Sequence, residues 1–284
     1  LSQKALAFKD GSEAVKVKKK EIKKKIFRPV SFLPLEKIIY PLITLLAFTG
    51  IWHGLSTMYP TYQLPSPLDV CRGMMELWGE GVIWEHIRVS LFRFSVAYFL
   101  AAASGIFLGL LFGWHIRLHA AFDPFVQMLR PISPIAWFPL AILWFKVGDP
   151  PAIFIIYLAA FFPILLTTIA AVRSVEHIYL QVALNFGTRE RDILTKIIIP
   201  AAFPQIMVGL HLALGSAWIH LVAGEMLGAQ SGLGFLIIDA RNFLRTDWII
   251  SGMIFIGLLG LALDKCMGWM EKRINLLWGH VMKN

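Results

Sequence analysis

The chain has 284 residues, 57% hydrophobic and only 16% charged, with a mean hydropathy of +0.66. Soluble domains carry about 25% charged and about 45–50% apolar residues, so the composition excludes an ordinary soluble domain and points to an integral membrane protein. The net charge of +9 is concentrated: eleven of the 27 Lys and Arg lie in the first 38 residues, including Lys18-Lys19-Lys20 and Lys23-Lys24-Lys25. That run leads straight into apolar segments without interleaved stacking aromatics, which favours a juxtamembrane cationic segment over a nucleic-acid surface.

In chain order, residues 1–38 are expected as a basic cytoplasmic segment, too long for the start of a secretory signal. Six segments are long and apolar enough to cross a hydrocarbon core as helices, at about 39–59, 91–113, 131–147, 152–172, 205–227 and 248–268. The second carries Gly105, Gly109 and Gly113, one small residue per turn, which predicts a helix-packing or dimer face. The third holds Pro131, Pro134 and Pro139 and is expected inside the bundle, where neighbours satisfy the freed carbonyls. An external 60–90 loop with a short helix near Leu68–Trp78, a short internal loop at 114–122 and an external "GDPP" turn at 148–151 join the first spans. Residues 271–284 are expected as a cytoplasmic tail. With both termini inside, cytoplasmic segments hold 20 of the 27 Lys and Arg, so the charge distribution predicts N-in, C-in. Cys71 and Cys266 then fall near opposite faces, too far apart to bridge, and no metal-ligand spacing occurs.

The large internal connection is 173–204. Val175, Ile178, Tyr179, Val182 and Phe186 fall at three- and four-residue spacing and predict an amphipathic helix. Gly187 can close it in a left-handed conformation, and Thr188 can cap a second helix with Glu190 and Asp192 in its first turn. Ile193, Leu194, Ile197 and Ile198 form an apolar ridge, and Pro200 is expected to mark the boundary before the fifth span. The product is a helix–turn–helix suited either to a soluble partner's groove or to simple reconnection of two spans.

This loop resembles the "EAA" loop of ABC-importer permeases through Gln181-Val182-Ala183, Gly187, Ile197, Ile199 and Pro200, with Gln181 in place of the family's acid and Val182 in place of its first Ala. "LPSP" at 64–67, "HIRVSLFRF" at 86–94, "LRPISPIAWFPLAILWF" at 129–145, "AWIHLVAGEMLGAQSGLGFLI" at 217–237 and "TDWIISGMIFIGLLG" at 246–260 extend the resemblance to the nitrate/sulfonate/bicarbonate branch. It implies an all-α membrane protein with six transmembrane helices and the type I ABC-importer (MetI-like) permease fold. It also implies a bacterial cytoplasmic (inner) membrane location, a second permease copy, two ATP-binding cassette subunits and an external or periplasmic solute-binding protein. ATP and Mg would sit on the partner subunits, and no cofactor is expected on this chain. Gln181, Ala183, Gly187, Thr188, Arg189, Arg191, Asp192, Ile197 and Pro200 are the implied ATPase-docking residues. No G-x-x-x-x-G-K-[ST] loop occurs, so no catalytic residue and no ATP site are expected.

Ionisable groups at membrane depth are functional candidates by default. His211, Trp218 and Glu225, spaced by sevens, share one helical stripe with Gly215 and Val222 beside it, and Arg130 lies near the inner end of the third span. These four are the candidate pathway residues. Glu225 is expected to pair with a cation such as Arg93 or to gate, Arg130 to pair with Asp123 or to line an anion exit, and each span histidine to bond a neighbouring helix. A secondary transporter or channel would show broken half-helices in inverted repeats. A membrane-embedded enzyme would show clustered His and acidic residues. Neither pattern is found.

Overall fold

The computed structural model describes residues 36–277, so most of the basic segment expected over 1–38 and the end of the tail expected over 271–284 lie outside the described residues. Every described element is a helix. The chain divides into two units, 1–55 and 56–284. The first contributes α1 (Glu36–Ser56), an apolar helix in which the hydroxyls of Thr44 and Thr49 donate to the carbonyls one turn earlier.

The second unit opens with α2 (Pro67–Gly79). Ser66 and Asp69 form a reciprocal capping box ahead of it, and Pro67 supplies a pre-set φ at its first position. Gly81, at φ +76, turns the chain directly into α3 (Val82–Trp114). The expected 60–90 loop is therefore largely helical, because the polar residues His86, Arg88 and Ser90 occupy the first turns of a 33-residue helix.

The greatest departure from expectation follows. The short loop expected at 114–122 is a single break at His115, and α4 (Ile116–Leu129) starts immediately. A 3₁₀ turn (Pro134–Trp137) and the eight-residue α5 (Phe138–Phe145) come next, and this 134–145 segment meets α4 at 86°. Pro131 and Pro134 remove donors, and Pro134 holds the preceding Ser133 out of the helical region at ψ 131, which breaks the helix there. The segment 131–147 is thus not a straight span, nor is it enclosed. Only Phe138 and Ala141 of α5 are buried, while Leu140, Leu143, Trp144 and Phe145 are exposed.

Lys146 (φ 66) and Gly148 (φ 141) turn the chain into α6 (Asp149–Arg173), which carries Pro150 and Pro151 in its first turn. After α7 (His177–Asn185), one helix, α8, runs from Glu190 to Gly228. The connection from the fifth to the sixth span folds into α9 (Leu233–Asn242), and α10 (Thr246–Leu277) extends beyond the expected end at 268. Among the described residues five helices are long and apolar enough to cross a membrane, or six with the bent pair counted as one span.

Helix α6 is the centre of this unit. Gly105, Gly109 and Gly113 of α3 lie against Ile164, Thr168 and Val172 of α6, so the small-residue face is filled within the chain. On its other side α6 packs against α8, and the main core joins Phe94, Ala97 and Ala101 of α3 to Ile156, Ala160 and Ile164 of α6 and Ala213, Ala217 and Leu221 of α8. Small residues allow this close approach of backbones.

Candidate functional site

The 173–204 connection departs from the bundle as a compact element. Helix α7 ends in a Schellman motif: the Gly187 N–H donates to the Leu184 carbonyl (2.9 Å) and the Thr188 N–H to the Ala183 carbonyl (3.0 Å), with Gly187 at φ +71. Thr188 is therefore a terminator of α7, not a cap of α8. Arg189 holds the capping position without a side-chain bond, and Glu190 and Asp192 follow in the first turn.

Helix α8 does not stop at Pro200. A π turn at Leu194–Ile198 precedes it, with the Ile199 N–H reaching back to the Leu194 carbonyl. Proline offers no N–H to the carbonyl four residues earlier and crowds it, and the wider π turn makes room. The fifth span and the second arm of the loop are one helix.

The apolar ridge packs inward. Ile193 and Ile198 are buried with Ala183, Ala171, Val172, Ala202 and Ile206, and Leu194 and Ile197 are partly buried against the same cluster, so the ridge attaches the element to its own bundle. The face of α7 is the reverse: Ile178, Tyr179, Val182 and Leu184 are exposed, and Phe186 at the turn is 85% exposed. Gln181, Arg189 and Arg191 are exposed beside it, Ile197 and Pro200 are half-buried, and Asp192 pairs with Lys196 at 2.7 Å. Phe186 was legible as the last residue of the amphipathic face, but only the structure shows that nothing in the described residues covers it.

At the opposite end of the bundle stands a buried polar network. The Arg93 side chain is 1% exposed. Its Nη1 donates to Glu225 Oε1 (2.8 Å) and the Ser231 carbonyl (2.6 Å), its Nε to Asp149 Oδ1 (2.8 Å), and its Nη2 to Asp149 Oδ1 and Ser231 Oγ. Glu225 also meets the Ser90 hydroxyl and the Gly234 N–H (2.9 Å). Ser90 Oγ accepts from the Leu233 N–H (2.8 Å), and His86 Nδ1 accepts from the Gly232 N–H (3.0 Å). A buried charge is tolerable only when paired and hydrogen-bonded, and these contacts join α3, α6, α8 and the start of α9. The Arg93 partnership inferred for Glu225 is present, and the carboxylate is enclosed rather than facing an open channel. Asp149, Ser90, Ser231 and His86 were not anticipated, because they come from distant segments and turns.

Nearby, Arg245 bonds Glu76 of α2 and Asp247 of α10 and lies over the Trp248 ring at 4.5 Å. Hydrogen bonds from Arg245, then from the Trp248 indole, hold the Glu76 carboxyl below the usual carboxylate range. Asp247, then Glu76, pushes the Arg245 guanidinium up.

The remaining candidates face other neighbours. His211 bridges to the last helix, with Nε2 2.7 Å from Asp264 and Nδ1 3.3 Å from Glu271. The Trp218 indole donates to the Ile256 carbonyl (3.2 Å) and packs edge-on to Phe94. The seven-residue stripe is thus a seam with α10 and α3. Asp123 contacts His119 and Gln127, its neighbours one turn away on α4. It does not pair with Arg130, which lies nearly two turns further on. Arg130 instead lines an open groove of about 380 Å³ between the α4–α5 bend, α6 and α8. Among the described residues no group of three His, Cys, Asp or Glu could hold a metal ion.

A bundle of long apolar helices with one broken span and one charged, projecting helix–turn–helix is a polytopic α-helical membrane protein. The chain belongs to the family of binding-protein-dependent transport system inner membrane components, whose model matches residues 105–276. It is 41% identical, over 72% of its length and 77% of the relative's, to a putative ABC transporter permease protein of Methanocaldococcus jannaschii. It is 31% identical to the taurine transport system permease protein TauC of Escherichia coli, over 84% of this chain and 89% of that one. It is 35% identical to the bicarbonate transport system permease protein CmpB of Synechococcus elongatus, over 84% and 90%. A chain of the inward-facing MetNI methionine ABC transporter superposes with a TM-score of 0.58 at 17% identity, covering 69% of this chain and 95% of that one, and shares its fold. The chain is accordingly a permease component of an ABC importer with the type I fold. The alternatives of a secondary transporter, a channel or a membrane-embedded enzyme fall away with that membership. Permease components of this family carry no ATPase site of their own.

Proposed function

We propose that the chain works as one of two permease copies forming the pathway of an ATP-driven importer, with two ATP-binding cassette subunits docked on the α7–α8 turn. ATP and Mg reside on those partners. An external solute-binding protein delivers a small anion of the nitrate, bicarbonate or sulfonate class, in keeping with the solutes named for the relatives. The chain lies N-in, C-in in a bacterial cytoplasmic membrane, the orientation its Lys and Arg favour.

One observation carries the docking site. Phe186 is 85% exposed at a tight turn flanked by exposed Arg189 and Arg191, outside any apolar span. Aromatic anchors ringed by charge are what a protein partner's pocket takes up. The turn is held by two backbone bonds and by buried Ala183 and Ile193, so a force on Phe186 passes into the bundle.

The test is coupled transport in the assembled complex. Phe186→Ala is expected to leave membrane insertion intact and to cut ATP-dependent uptake about tenfold or more, as loss of a hot-spot contact does. Gly187→Leu should act likewise. A side chain there meets no neighbouring atom within 4 Å, so the damage comes from the left-handed backbone alone, about 1–2 kcal/mol. Full ATP-driven uptake by both variants would overturn this reading.

A further inference from the structure

The groove beside Arg130 has a composition unlike the other cavities. The one between α3, α4 and α6, of about 400 Å³, exposes no polar surface at all. The Arg130 groove is mostly apolar but carries polar groups on three different elements, of which the Thr167 hydroxyl already donates to the Pro163 carbonyl (2.7 Å). The Arg130 guanidinium, from the bend between α4 and α5, is exposed on the groove and makes no ion pair or hydrogen bond with any described residue. On α8, the Ser216 hydroxyl also has no partner among the described residues.

The other two groups accept rather than donate. His220 Nδ1 lies 2.8 Å from the Ser216 carbonyl. A carbonyl can only accept, so Nδ1 carries the proton. In the neutral ring Nε2 then presents a lone pair, and no described residue satisfies it. On α6, Pro163 lies inside the helix and brings no N–H to the carbonyl of Ala159, and both residues line the groove. The walls therefore offer a fixed positive charge and a hydroxyl donor together with two acceptors, His220 Nε2 and a carbonyl that Pro163 leaves without its usual helical N–H.

We infer that this groove is a solute subsite for an oxyanion that carries its own hydrogen-bond donor, such as hydrogencarbonate or an aminoalkanesulfonate, rather than for a donor-free oxyanion such as nitrate. The inference rests on the anion-importer reading above and narrows it. Arg130 takes the anionic oxygens, and His220 Nε2 and the Ala159 carbonyl take the O–H or N–H. A site built to accept a solute's hydrogen discriminates against an analogue without one, because its own acceptors stay unpaired. Selection by a binding protein can act in addition, upstream of this groove.

The test reads the groove directly in the assembled transporter. Cys71 and Cys266 are replaced by Ser, and Ser216→Cys is labelled with an anionic methanethiosulfonate in gluconate buffer. Hydrogencarbonate and taurine at tens of millimolar are expected to slow labelling about threefold or more, as millimolar affinity requires. Nitrate at the same concentration should have little effect, and Arg130→Gln should abolish the protection. Leu212→Cys, on the same wall, serves as the second reporter should the first variant fail to assemble. Equal protection by nitrate would overturn the donor requirement, and protection by no anion at either reporter would overturn the subsite. Labelling needs neither ATP nor the binding protein. Its failure alongside intact ATP-driven uptake would therefore sink the subsite alone, whereas loss of uptake in the unmodified complex would sink the importer reading.

Discussion

Arg93 and Glu225, 132 residues apart in the chain, meet at 2.8 Å with the arginine 1% exposed and the glutamate fully enclosed. This contact ties α3 to the end of α8, and through Ser231 and Gly234 it fixes the start of α9.

Removing one partner leaves the other charge buried and uncompensated. Arg93→Ala should therefore destabilise the permease by about 3–5 kcal/mol, while Arg93→Met combined with Glu225→Met should recover a substantial part of the loss. Thermal unfolding of the detergent-solubilised complex measures both. A double variant no better than the single one would show that the network's hydrogen bonds, not its charges, dominate.

Gly232 is a sharper probe of the same network. It stands at φ +103, and a methyl group there would collide with the Glu225 carboxylate and come within 2.7 Å of Arg93 Nη1. Gly232→Ala is expected to approach the damage of Arg93→Ala, whereas Gly215→Ala, with no atom within 4 Å, should be nearly neutral.

The glycine face of α3 makes a graded prediction. At Gly105 a Cβ would meet the Ile164 side chain at 3.0 Å, but at Gly109 it would lie 2.5 Å from Thr168 Cβ and 3.1 Å from the Leu165 carbonyl. Overpacking costs about 1–3 kcal/mol, so Gly109→Ala should lower the unfolding midpoint more than Gly105→Ala. Neither should change the number of permease copies per complex, because the face is covered within one chain.

The Glu76–Arg245 contact sets a pH dependence. The folded carboxyl is held below its unfolded value, so its contribution is present above the ordinary carboxylate range and is lost as pH falls through the folded value. Both side chains are more than a third exposed, which limits the effect to about 1 kcal/mol. The gap in unfolding midpoint between the wild type and Glu76→Gln should be largest near neutral pH and close below pH of about 4. A gap that widens on acidification would contradict the assignment.

Much of this architecture is legible in the residues, and the failures have physical causes. The segments 91–113, 152–172, 205–227 and 248–268 lie inside helices because apolar length is a strong signal. Their starts escape notice where polar residues occupy the first turns, as at His86–Ser90, and where a proline reads as a boundary, as at Pro200. Helix α9 is ten residues long with Leu233, Leu236 and Ile237 buried, too short to stand out as periodic. The Arg93–Glu225 pair could be anticipated because ionisable groups at depth need partners, while Asp149 and Ser231 depend on how two turns fold over the bundle. The contrast between a buried ridge on α8 and an exposed Phe186 at the end of α7 is a tertiary fact that spacing cannot carry.

The 39 residues from Glu190 to Gly228 have one further consequence. At 1.5 Å per residue the helix is about 58 Å long, a lever with its handle beside Phe186 and its far end held by Arg93. Tilting it by about ten degrees around its middle would swing each end by about 5 Å, roughly the width of a small oxyanion. A push on the handle and a displacement at the other face would then be a single motion, and the joints in the lever, the π turn before Pro200 and the helix-internal Pro204, both lie near the handle.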